Sequence, residues 1–280
     1  MRIDTHQHFW RYEPGRDSWI TDQMGILKRD YLPKDLQSEL SNAGIDGCIA
    51  VQTSQSEEET RFLLELAAVH EFIVGVVGWA DLRDPGIDER LAGWREFPKL
   101  RGFRHIVQSE PDDQFMLQAD FRRGIAALSR FGFVYDILIY PRQLPAAIEL
   151  AAAHPAQAFV LDHLAKPDVR SGQTKEWERN FRELASSPNV CCKLSGLITE
   201  ADWNSWRHEN FRPYLDAAFE AFGSERLMFG SDWPVCLLAG SYQEVVGLIA
   251  SYVCDLPAAE QAAVFGANAA RCYGLRVAQG

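Results

Sequence analysis

The chain of 280 residues is 47% apolar and carries a formal net charge of −11. That length can bury a large core, and α/β barrels commonly use as much chain as one unit. The acidic balance argues against nucleic acid or an anionic membrane surface as a partner, and no apolar run approaches the ~18 residues of a membrane span.

Eight β-rich stretches follow one another: RIDTHQHF (2–9), GCIAVQT (47–53), FIVGVVGWA (72–80), LRGFRHIV (100–107), FVYDILIY (133–140), AFVLDHLA (158–165), VCCKLSGLI (190–198) and RLMFGSDW (226–233). Helical stretches separate them. Ser56 followed by Glu59 predicts a capped start for TRFLLELAAVH, and Asp120 opens FRRGIAALSRFG, which closes on a glycine. QLPAAIELAAAH, TKEWERNFRELASS, YLDAAFEAFG and SYQEVVGLIASYV continue the series. The tail LPAAEQAAVFGANAARCYGL reads as a helix pair that closes the last crossover.

Strands alternating with helices imply parallel pairing through right-handed crossovers, and eight strands close a (β/α)8 TIM barrel. The expectation is one barrel domain over residues 1–280 with a C-terminal helical extension. An open doubly wound sheet would carry a Gly-rich phosphate turn after the first strand, and none is present. The opening MRIDTHQHFW lacks the apolar stretch of an export signal, and the six cysteines form no C-x-x-C pair. They read as reduced packing residues, so a cytoplasmic location is expected.

Barrel enzymes place their chemistry at the carboxyl ends of the strands. On strand 1, alternation predicts Asp4, His6 and His8 on one inward face, with Asp4 one layer deeper and able to orient a ring. Strand 4 adds Arg104 and His105, strand 6 His163, strand 7 Lys193 and strand 8 Asp232. Any one of these has an ordinary structural explanation, such as a lysine snorkelling to solvent. Seven at matching ends of five strands point to a site.

The ordered set H-Q-H-F-W, G-F-R-H, L-D-H-L-A-K-P, C-K-L-S-G-L, F-G-S-D-W-P-V and N-A-A-R-C-Y-G-L resembles the amidohydrolase superfamily, in its sugar-lactonase branch, over essentially the whole chain. The resemblance implies hydrolysis of a small sugar lactone. It departs from binuclear members, because strand 4 offers Arg104 and His105 and strand 5 offers Asp136 and Tyr140 without a histidine. One divalent ion, zinc, on His6, His8, Asp232 and His163 fits the resemblance, and so does a metal-free mechanism.

Asp232 is then the general base on water, with His6, His8, His163, Arg104, His105 and Lys193 around the carbonyl. Trp10, Gln52, Trp79, Asp136, Trp203 and Trp233 are candidates for contact with a hydroxylated ring, and the aromatic loop from Phe9 to Pro33 is expected over the barrel mouth. The alternatives are a decarboxylase of an unsaturated or aromatic acid, and a binding protein on a retained barrel.

Overall fold

A computed structural model describes residues 1–275. The eight strands are β1 (Ile3–Gln7), β2 (Gly47–Val51), β3 (Ile73–Gly78), β4 (Leu100–His105), β5 (Val134–Ile137), β6 (Phe159–Leu161), β7 (Val190–Leu194) and β8 (Leu227–Phe229). They pair in parallel in chain order. The ring closes at the carboxyl ends, where Gln7 bridges Trp233 and the His8 N–H donates to the Trp233 carbonyl at 2.7 Å. The helices α1 (Pro33–Ala43), α2 (Glu57–Val69), α3 (Ile87–Trp94), α4 (Ala119–Phe131), α5 (Leu144–Ala153), α6 (Lys175–Ala185), α7 (His208–Phe222) and α8 (Tyr242–Val253) form the outer shell. This is the TIM barrel that the alternation predicts. Among the described residues, no helix is long and apolar enough to cross a membrane. All six cysteines are free thiols.

Local chemistry sets the helix ends. The Ser56 hydroxyl caps α2 by accepting from the Glu59 N–H at 3.1 Å, while the Glu59 carboxylate turns back to the Thr53 N–H and hydroxyl, each at 2.8 Å. The helix is thereby fastened to the carboxyl end of β2. Helix α4 begins at Ala119, one residue before the expected Asp120, and ends where Gly132 takes φ +74. The tail differs from expectation. It is one helical run, α9 (Ala258–Ala262) and α10 (Asn268–Cys272), joined by a π-helical segment over Ala263–Ala267.

The barrel interior has two layers. Ile3, Ile49, Val51, Val77, Val134, Val160 and Met228 form an apolar layer, against which Ala269 and Tyr273 of the tail pack. A polar layer lies toward the carboxyl ends, because Asp136, Asp162 and Lys193 each stand two residues beyond an inward-facing Val134, Val160 or Cys191.

Candidate active site

Strand β1 brings its histidines inward by breaking alternation. Its register against β2 shifts between Asp4 and Gln7, a β-bulge that rotates the residues beyond it. His6 and His8 face the barrel axis, but Asp4 does not share their face. Its carboxylate accepts from the Ser231 N–H and hydroxyl at 2.9 and 2.6 Å and from the Tyr242 hydroxyl of α8 at 3.1 Å. Asp4 touches His6 only through the backbone N–H, at 3.1 Å. The expected ring-orienting role therefore falls to other groups. Burial, opposed by those hydrogen bonds, raises the Asp4 carboxyl to about 6.

His163 and Asp232 lie beyond the ends of β6 and β8, on backbone that an L-residue rarely adopts. His163, Leu164, Ala165 and Lys166 have φ of +55, +53, +59 and +51, and Asp232 has φ +58. Each such residue costs on the order of 1–2 kcal/mol, and strain of this kind concentrates at functional sites. The turn lets Asp162 and His163 face the same side, which a continuing strand forbids. Close approach completes it: a Cβ on Gly196 would stand 2.5 Å from His163 Nδ1, and one on Gly230 would stand 2.8 Å from His6 Cβ.

Three imidazoles converge on one carboxylate oxygen. His8, His6 and His163 place Nε2 at 3.2, 3.9 and 4.0 Å from Asp232 Oδ1. Each Nδ1 is engaged: by the Val51 carbonyl at 2.7 Å for His8, by Asp162 Oδ1 and Lys193 Nζ, both at 3.2 Å, for His6, and by Ser195 Oγ at 2.9 Å for His163. Burial holds His163 down at about 4 and His6 well below its ordinary value, so both rings are neutral near neutral pH. Burial alone would raise the Asp232 carboxyl, but His163, His8 and His6 together outweigh it and hold it low.

Beneath the rings lies an ionic layer whose centre, Asp162, sequence reasoning missed. Its carboxylate pairs with Arg104 at 2.9 Å and Lys193 at 3.0 Å, and it meets His6 Nδ1. Lys193 also pairs with Asp136 at 2.5 Å, and the Tyr273 hydroxyl donates to Asp136 at 2.9 Å from below. Burial would discharge Lys193, but the two carboxylates raise its pKa and keep it an ammonium. The signal for Asp162 was present in the alternation of Val160 and Asp162 on the inward face.

The donor set fits one divalent cation. Among the described residues, His6, His8 and Asp232 bring ligand atoms within 4.8 Å of one another. Tetrahedral zinc at its usual bond lengths spaces its ligands about 3.3–3.5 Å apart, within the spread seen here. His8 supplies the chemical argument. Its two nitrogens face a carbonyl and a carboxylate, both acceptors, so a neutral ring satisfies only one of them. A cation between Nε2 and Oδ1 removes that conflict, and the Nδ1 partners are of the kind that orient metal-binding histidines.

Other predicted residues stand elsewhere. His105 follows inward-facing Arg104 on the same strand and so faces outward, stacked on Phe115 at 4.8 Å with Nε2 2.7 Å from Glu110. The sequence reading placed both at one rim, which strand alternation does not allow. Arg104 spends its guanidinium on His6, Asp162 and the Gln52 carbonyl, and Gln52 Nε2 donates to the Arg104 carbonyl at 2.9 Å. Asp136 belongs to the ionic layer. Trp10 donates to the Arg29 carbonyl, and Trp10 and Trp233 each meet the Tyr31 ring edge-on, at 5.4 and 5.2 Å. The aromatic loop thus packs on the turn that carries Asp232. Trp79 and Trp203 remain partly exposed, donating to His105 Nδ1 and the Thr199 carbonyl.

A family model described as amidohydrolase matches residues 3–275. The chain belongs to the amidohydrolase family. It is 49% identical, over 98% of its length and 96% of the relative's, to an L-fucono-1,5-lactonase of Burkholderia multivorans. A second L-fucono-1,5-lactonase, from Burkholderia ambifaria, is 37% identical over 98% of this chain and 96% of its own. A crystal structure of an amidohydrolase from Burkholderia multivorans with bound zinc superposes with a TM-score of 0.95 at 49% identity, covering 99% of this chain and 100% of that one. Its strand-1 histidines and the aspartate that follows strand 8 stand at the carboxyl ends of the barrel strands, the end at which such barrels carry their sites.

Proposed function

We propose that this chain hydrolyses a sugar 1,5-lactone, with L-fucono-1,5-lactone the expected substrate, to the open-chain acid. The observation that carries the reading is the Asp232 carboxylate set before three imidazole Nε2 atoms, in a chain 49% identical to an L-fucono-1,5-lactonase. The relatives at 49% and 37% identity are both lactonases, which sets the decarboxylase alternative aside.

Asp232 accepts a proton from water as its oxygen attacks the lactone carbonyl carbon. Collapse of the tetrahedral adduct breaks the bond to the ring oxygen, and the proton on Asp232 passes to that oxygen as it becomes a hydroxyl. The product acid then ionises. His6, His8, His163 and Asp232 would hold a divalent ion, which when bound would acidify water and polarise the carbonyl, and this suits a carboxylate whose own basicity the imidazoles have lowered. Asp162 fixes His6 through Nδ1, Ser195 fixes His163 and the Val51 carbonyl fixes His8, so the rings are oriented before substrate arrives.

A panel of aldono-1,5-lactones followed with a pH indicator tests the proposal. Acid release without carbon dioxide is expected. Carbon dioxide release would restore the decarboxylase alternative, and silence on every lactone and acid would leave a binding protein.

A further inference from the structure

Outside the imidazole cluster, the loops after β6 and β7 carry an ion pair that the mechanism above does not use. The left-handed turn that aims His163 inward ends on Lys166, whose N–H donates to the His163 carbonyl at 2.7 Å. Glu200 ends the short helical turn Ile198–Glu200 after β7. Lys166 Nζ and Glu200 Oε1 stand 3.8 Å apart, with the side chains only 19% and 23% exposed. Lys166 also lies over the Tyr140 ring, 5.6 Å from its centroid, beyond the end of β5.

The pair borders the reacting groups. The Lys166 charge acts on His163, and the Asp232 charge acts on Glu200. Burial raises the Glu200 carboxyl, Lys166 opposes that, and Asp232 and Asp168 add to it. A separation of 3.8 Å exceeds direct hydrogen-bond contact, so the ammonium and the carboxylate keep donor and acceptor capacity toward a third group. A loose pair contributes little stability, and withdrawing it from water adds a desolvation cost. A hydroxyl both donates and accepts, which lets it bridge the two.

We propose that Lys166 and Glu200 are specificity residues that read adjacent hydroxyl groups of the lactone ring, with the Tyr140 face under its C–H edge. This rests on the sugar-lactone reading above and deepens it by naming the side chains that select the hydroxylated ring.

The experiment compares L-fucono-1,5-lactone with unsubstituted δ-valerolactone for the wild type, Glu200→Gln and Lys166→Met. The ratio of kcat/KM for the hydroxylated over the bare lactone is expected to fall about tenfold or more in each variant, the scale of a lost hydrogen bond to a charged group. Calorimetric binding of a polyhydroxylated δ-lactam and of δ-valerolactam gives the same comparison without turnover, and covers a substrate too slow to follow. Should Glu200→Gln fail to fold, Lys166→Met carries the comparison alone. An unchanged ratio overturns the inference. A wild type inactive on every lactone defeats the function reading itself, a result separate from an active wild type whose variants keep its selectivity.

Discussion

Lys193 Nζ and Asp136 Oδ2 lie 2.5 Å apart, both wholly buried beneath the imidazoles, with Asp162 on the other side of the ammonium at 3.0 Å. The lysine therefore reaches neither solvent nor a substrate carbonyl. It neutralises the ionic layer on which His6 rests.

Lys193→Ala should accordingly act on stability first. Removing one partner of a buried pair strands the other charge, at a cost of about 3–5 kcal/mol. Lys193→Met combined with Asp136→Asn removes both charges and should recover much of that loss. Urea unfolding of the three proteins checks it. A Lys193→Ala protein as stable as wild type would return the residue to the substrate side.

Zinc added to chelator-stripped protein should raise the melting temperature, with about one ion bound by elemental analysis, because an ion that binds only the folded state stabilises it. His8→Ala should lose most of that shift, since it removes the nitrogen nearest Asp232. A wild type whose melting temperature ignores zinc would favour the metal-free version of the site.

His163 gives a pH dependence of definite sign. Burial lowers its pKa to about 4 from an ordinary 6.5, so between those values the unfolded chain binds the proton and the folded protein does not. Its contribution to stability is whole above 6.5 and declines as the pH falls toward 4. Relative to His163→Gln, the wild type should lose up to about 1.4 kcal/mol per pH unit across that window. Urea unfolding of both proteins at pH 7, 5.5 and 4.5 in chelating buffer measures it, and a difference independent of pH would contradict it.

Much of this was legible in the sequence, for a physical reason. A barrel repeats one strand–helix unit, so periodicity located all eight strands, and strand ends named His6, His8, His163 and Asp232 before any were seen together. Alternation also failed in instructive places. It put Asp4 beside His6 because a bulge leaves no mark in composition. Asp162 was passed over because His163 was read as the inward residue at that strand end, and only a left-handed turn of four non-glycine residues lets both face one side. His105 was misplaced by treating adjacent residues as neighbours in space, when a strand sends them to opposite faces. Tyr273 was beyond reach, because nothing in the tail shows that its hydroxyl enters the barrel from below to meet Asp136.

Initial rates of Asp232→Asn on L-fucono-1,5-lactone test the central assignment most directly. Asparagine tolerates the φ of +58 at this position about as well as aspartate does, so the fold should survive and the melting temperature report it. The prediction is a folded protein whose turnover falls on the order of a thousandfold or more. A folded Asp232→Asn protein within a few-fold of wild-type turnover would contradict it.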